Sequence, residues 1–174
     1  MEIPKTPCQI PELKLSCWGC CGNNFKSREK VERDIEQNTI DFNEIILDES
    51  TEEKLIEFRD RYDGYDLSPS GLCLNLIEFE SGCLACPLHK MINKIVSERG
   101  FNPPKNDLRI IPCDVNYECK TFKLWKIFPQ SQKKEYINWL IKERKSLNHY
   151  NYSLGNHDGV FIEKYLKERN QIIQ

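Results

Sequence analysis

Nine cysteines in a chain of 174 residues, eight of them in spaced groups, constrain the fold more than any other feature. Cys17, Cys20 and Cys21 form a C-x2-C-C cluster. Cys73 precedes the C-x2-C pair Cys83 and Cys86, with His89 three residues on, and Cys113 and Cys119 form a C-x5-C pair. A C-x2-C turn lets two sulfurs face one ion at about 2.3 Å, as tetrahedral zinc or an iron–sulfur iron requires. Gly19 and Gly22 let the backbone fold sharply around the first cluster. The ninth cysteine, Cys8, stands in a proline-flanked tail and is not read as a ligand.

The compartment decides how these thiols are read. Met1 to Pro11 carries three prolines and no apolar core of the secretory type, and no run is long enough to span a bilayer. The expected setting is the reducing cytoplasm, where clustered cysteines point to metal or catalysis rather than disulfides. An odd count also fits poorly with a fully paired disulfide framework. The formal net charge is −2, from 25 Lys+Arg against 27 Asp+Glu, and this argues against nucleic acid as the main partner. Lys142 to Lys145, interrupted by Glu143, reads as a solvated helix face.

The chain length suits one compact domain over 1–174, with a cysteine region over 17–119 and carboxy-terminal helices over 130–174. Val31 and Ile35 predict a helix from near Ser27 to about Asn38. Ser50 with Glu53 makes a capping box for a second helix bearing Leu55, Phe58 and Tyr62 and stopping at Gly64. Leu72 to Phe79 reads as a short strand, turned back by Glu80-Ser81-Gly82. Pro87 opens a helix carrying Leu88, Ile92, Ile95 and Val96 to Gly100, which puts Cys86 at its N-cap, where the helix dipole favours the thiolate. Leu108 to Ile111 is a possible second strand. Ser131 caps a helix with Tyr136, Ile137, Leu140 and Ile141, and Asp158 caps a last one with Phe161, Tyr165 and Leu166. The polar stretch Asn148 to Gly159, with His149 and His157, reads as a solvent-exposed connection. The fold class is therefore mainly α with a small β-hairpin, the cysteine loops gathered at one end.

The metal ligands expected are Cys17, Cys20, Cys21, Cys73, Cys83, Cys86, Cys113 and Cys119. His89 reads as a surface or hydrogen-bonded histidine. Eight thiolates permit two four-coordinate zinc sites, or one four-iron cluster with cysteines to spare, and the spacing fits both. Trp18, inside the first cysteine loop, would shield a bound ion from water.

The motifs Cys17-x2-Cys20-Cys21, Gly71-Leu72-Cys73-Leu74-Asn75-Leu76 and Gly82-Cys83-Leu84-Ala85-Cys86-Pro87-Leu88 resemble those of the YkgJ-type cysteine-cluster family, over roughly residues 17–119. The resemblance implies a zinc- or iron-chelating domain, and the chain would be a divergent member. Lys14 occupies the position of the family's first cysteine, and the family's Arg-Pro before a later cysteine is missing.

No phosphate loop, nucleophile elbow or H-E-x-x-H motif is present, so no residue reads as catalytic. The expected function is metal binding through cysteine, with zinc or iron (an iron–sulfur cluster included) as cofactor. Two alternatives stand beside it: a metal-dependent modifying enzyme with an open iron position, and a zinc-ribbon-like interaction module.

Overall fold

A computed structural model of the chain describes residues 3–4, 6–46, 51–63, 67–90, 101, 103–110, 113–114, 116–143 and 147–173. The fold is mainly α. Among the described residues there are six α-helices and two two-stranded antiparallel sheets. They divide into two compact units, a terminal unit of residues 1–20 and 117–174 and a central unit of residues 21–116. No described helix is long and apolar enough to cross a membrane.

The terminal unit begins with a tight ladder, in which β1 (Gln9–Ile10) pairs with β2 (Leu15–Ser16) and Gln9 faces Ser16. Lys14, in the left-handed region at φ 51°, completes the turn between them. Four helices follow from the other end of the chain: α3 (Lys120–Ile127), α4 (Gln130–Glu143), α5 (His149–His157) and α6 (Val160–Ile173). Their apolar stripes meet the ladder in one core, where Ile10, Leu13, Trp125, Tyr136, Tyr152 and Ile162 are almost fully buried.

Three sequence expectations change here. The stretch expected to be an exposed connection is helix α5. The Asn148 side chain caps it by accepting from the Asn151 amide at 2.9 Å, and Tyr152, Ser153 and Asn156 turn inward. Asp158, expected to open the last helix, closes α5 as its C-cap. Helix α4 begins at Gln130, one residue before the expected Ser131 cap.

In the central unit, α1 (Arg28–Ile46) packs on α2 (Glu52–Asp60) and on β3 (Ile77–Glu78), which pairs with β4 (Leu84–Ala85). Gly82, at φ 77°, supplies the left-handed turn of the expected hairpin. Helix α1 runs on past Asn38 because that residue is itself buried, its Nδ2 donating to the carbonyls of Cys73 and Leu76 at 3.2 and 3.0 Å. Val31, Ile35, Phe42 and Ile46 complete the inward stripe. The cap of α2 is Thr51, whose hydroxyl accepts from the Lys54 amide at 3.3 Å. Ser50 and the expected stop at Gly64 lie outside the described residues.

Helix expected over 87–100 is a turn where it is described, from Pro87 to Lys90, and residues 91–100 lie outside the described set. Leu108 to Ile110 is not a strand either. The Leu108 amide donates to the Leu88 carbonyl at 3.0 Å, and Arg109 folds back onto Asp107 through bonds of 2.8 and 2.6 Å. Ile111 is outside the described residues.

Candidate metal-binding cysteines

The ladder of the terminal unit sets the first thiols. Extending its register by one residue puts Cys8 opposite Cys17, and the Cys17 amide donates to the Cys8 carbonyl at 2.7 Å. Residues directly opposite in an antiparallel pair project to the same face. The Cys17 sulfur donates to the Ser153 carbonyl at 3.7 Å and lies beside the Cys8 thiol. Interaction with Cys8 lowers the pKa of Cys17 against the effect of burial, helped by the Asn156 side chain and the Gly19 amide. The same contact, then burial, then the nearby Cys17, Cys20 and Cys119 sulfurs push Cys8 well up.

Cys17 to Cys20 is a turn pressed onto α5. The Trp18 amide donates to Ser153 Oγ at 3.1 Å, and that hydroxyl donates to the Ser16 carbonyl at 3.2 Å. Gly19 is required by space: a Cβ there would lie 2.3 Å from His157 Cβ and 2.8 Å from the Ser153 carbonyl. Trp18 is 1% exposed, buried against the loop. Cys20, next to Gly19, is exposed.

Cys119 arrives from far along the chain as the N-cap of α3, its sulfur accepting from the Phe122 amide at 3.4 Å. Burial raises its pKa, while the Phe122 and Thr121 amides pull it down. The helix-terminus position expected for Cys86 is thus the one Cys119 occupies.

The Asn156 carboxamide belongs to this neighbourhood. It is fully buried and directed at the Cys17 sulfur, yet among the described residues neither Nδ2 nor Oδ1 meets full hydrogen-bond geometry, and the fully buried Tyr136 hydroxyl has no partner there.

The central unit repeats part of this pattern. Gly22 bridges Leu72 antiparallel, so Cys21 stands opposite Cys73, and the Cys73 amide donates to the Cys21 carbonyl at 2.8 Å. Gly71 turns this loop at φ 84°, with no room for a Cβ, which would fall 2.1 Å from the Asn23 carbonyl oxygen. A buried guanidinium holds the other side. Arg61 donates to the Leu74 carbonyl at 2.6 Å, the Phe58 carbonyl at 2.8 Å, Asn38 Oδ1 at 3.0 Å and Asp41 at 2.9 Å. Asn38 in turn carries the Cys73 carbonyl.

Cys86 and Cys113 come to the same unit. Burial raises the Cys86 pKa, with the Cys73 sulfur next, while the Leu88 amide and the Arg109 charge oppose it. Arg109 also points Nη1 at Cys113 Sγ, 3.8 Å away. His89 is half-buried nearby, and burial followed by the Arg109 charge holds its pKa below the usual value.

Cys83 is placed differently. Leu84 and Ala85 between it and Cys86 form strand β4, and residues three apart along a strand point to opposite faces. The pair brackets this strand, with the Cys83 carbonyl accepting from the Phe79 amide at 2.9 Å across the hairpin.

None of the nine cysteines is in a disulfide; Cys8, Cys17, Cys20 and Cys119 belong to one unit and Cys21, Cys73, Cys86 and Cys113 to the other, as does Cys83. Among the described residues, no three or more Cys, His, Asp or Glu side chains stand together as a group that could hold a metal ion without rearrangement. Sequence reasoning passed over Cys8, Asn156 and Arg109. The one available signal was the pairing of apolar Ile10 with Leu15 around a turn, which brings Cys8 beside Cys17.

Compared with known protein families, characterised proteins and solved structures, the chain has no match.

Proposed function

We propose that this chain is a metal-binding cysteine-cluster protein, a divergent relative of the YkgJ type, that holds zinc or iron through thiolates. The observation that carries this reading is the backbone's treatment of the sulfurs. Two cysteine pairs face each other across antiparallel strands, and main-chain amides are directed at Cys17, Cys86 and Cys119. Amide donors at i+2 or i+3 stabilise the charged, metal-ligating form of a thiol and hold its rotamer. Thiols acting only as small hydrophobes would have no use for them. Arg109, between Cys86 and Cys113, adds a fixed positive charge where ligated thiolates would leave a negative one.

The thiols stand close without being closed, which suits sites that ligation itself completes. Anaerobic purification, elemental analysis and a visible spectrum test the reading. Zinc without colour, or iron with acid-labile sulfide and broad brown absorbance, supports it. A metal-free, fully folded chain contradicts it.

A second reading has one observation in its favour. Cys8, Cys17, Cys21 and Cys73 sit at the ends of short antiparallel pairings, as the knuckles of a zinc-ribbon-like interaction module would. Bound zinc together with capture of a protein partner that depends on it would favour that module.

A further inference from the structure

We propose that Cys8, Cys17, Cys20 and Cys119 form their own mononuclear four-thiolate site in the terminal unit, with Asn156 as a positioning residue beside Cys17. The inference rests on the metal-binding reading above and deepens it by assigning ligands, with Cys8 included and Cys83 excluded. The ion it fits is a divalent metal of the zinc class.

Three observations converge. The first is register, since Cys8 and Cys17 are cross-strand neighbours on one face, tied by a 2.7 Å backbone bond. The second is supply. Cys20 follows from the turn that Gly19 allows to pack on α5, and Cys119 enters from the N-terminus of α3, so four sulfurs arrive from three backbone directions.

The third observation points to a ligand rather than to packed thiols. The Asn156 carboxamide is 0% exposed and directed at Cys17, yet among the described residues neither of its ends meets full hydrogen-bond geometry, and the buried Tyr136 hydroxyl has no partner there either. Leaving such a group unsatisfied costs about 1–3 kcal/mol. A neutral thiol is a weak acceptor. A metal-bound thiolate carries charge and keeps lone pairs, so it gives the Asn156 N–H a strong acceptor at the Cys17 sulfur. Ligation displaces one proton to solvent for each thiol bound, with no change of oxidation state. Four thiolates around a divalent ion carry a net charge of −2, which the amide and carboxamide donors offset.

Cobalt(II) titration of the reduced, metal-free full chain under argon reads this out. The wild type is expected to develop tetrahedral visible bands and sulfur-to-cobalt charge transfer, saturating at about two equivalents. Cys8→Ser should lose one of these equivalents, and Cys83→Ser should lose neither. Cys8→Asp should keep the ion at lower charge-transfer intensity, which separates loss of a ligand from loss of the fold. Asn156→Leu should move the charge-transfer band with stoichiometry unchanged; an unmoved band removes Asn156 from the site. A Cys8→Ser titration identical to wild type overturns the assignment while leaving the metal reading intact. No cobalt uptake by the wild type overturns the metal reading itself. On the zinc-loaded wild type, X-ray absorption should count only sulfur donors, and a nitrogen or oxygen in the shell contradicts the site. A Cys8–Cys17 disulfide in anaerobically purified protein would also overturn it.

Discussion

The Cys17 amide donates to the Cys8 carbonyl at 2.7 Å, which fixes the two thiols on one face of a ladder only two residue pairs long. So small a sheet is marginal alone. It persists because Ile10, Leu13 and Leu15 are buried under the carboxy-terminal helices. Metal binding at these thiols would therefore couple the first residues of the chain to its last helices.

The Gly19 contact gives a prediction by size alone. Gly19→Ala places a methyl group 2.3 Å from His157 Cβ and 2.8 Å from a carbonyl oxygen, neither of which is the end of a flexible chain. Overpacking of this kind costs about 1–3 kcal/mol. Thermal unfolding should show that loss, and the variant should release metal to a chelator faster than wild type. Unchanged melting and release would mean that the loop does not need its contact with α5.

Arg61 yields the largest expected loss. Its side chain is 8% exposed and joins Asp41, Asn38, the Phe58 carbonyl of α2 and the Leu74 carbonyl beside Cys73. Arg61→Met leaves Asp41, whose side chain is 12% exposed, without its cation, at a cost of up to about 3–5 kcal/mol. Urea titration monitored by circular dichroism should move its midpoint down accordingly. A shift below about 1 kcal/mol, the scale of a surface ion pair, would show that the network is solvated.

The same pair sets an acid limit. Burial alone would raise the Asp41 pKa, but hydrogen bonds from Gln37, Arg61 and Tyr62 outweigh it and hold the carboxyl below its ordinary value. A depressed carboxyl contributes stability that is fully present above the unfolded pKa of about 3.9 and is lost as pH falls through the folded value. Asp41→Asn should therefore be less stable than wild type near neutrality, with the gap closing below about pH 4. A gap that stays constant with pH would rule out the linkage.

Trp18 offers a kinetic test. Its indole is 1% exposed within the first cysteine loop, packed 5.8 Å from Tyr150 between ring centroids. Trp18→Ala should speed chelator-driven metal loss, because water reaches the thiolates more easily. Equal rates would make the indole a core residue and nothing more.

Much of the helical frame was legible because the signal is local. The stripes Leu55–Phe58 and Tyr136–Ile137–Leu140 are spaced for one helix face, and Gly82 announces its turn. Helix α5 was misread because its sequence is polar. Its inward residues are Tyr152, Ser153 and Asn156, whose burial depends on partners more than a hundred residues away, such as Ser16 and Pro7. The cysteines divide the same way. Cys17-x2-Cys20 is a turn in sequence and in structure, whereas Cys83-x2-Cys86 spans a strand that faces its ends apart. Cys8 looked like a tail residue because only the cross-strand register, a tertiary fact, gives it a partner. Cys119 is brought to Cys17 by the packing of α3 against α5, which no spacing rule contains.

Anaerobic elemental analysis of the whole purified chain, read beside its ultraviolet–visible spectrum, tests the central claim most directly. The account predicts stoichiometric zinc, or iron with acid-labile sulfide, lost together with thermal stability when a strong chelator is added. A folded protein with reduced thiols, no bound metal and a melting temperature indifferent to chelator would contradict it.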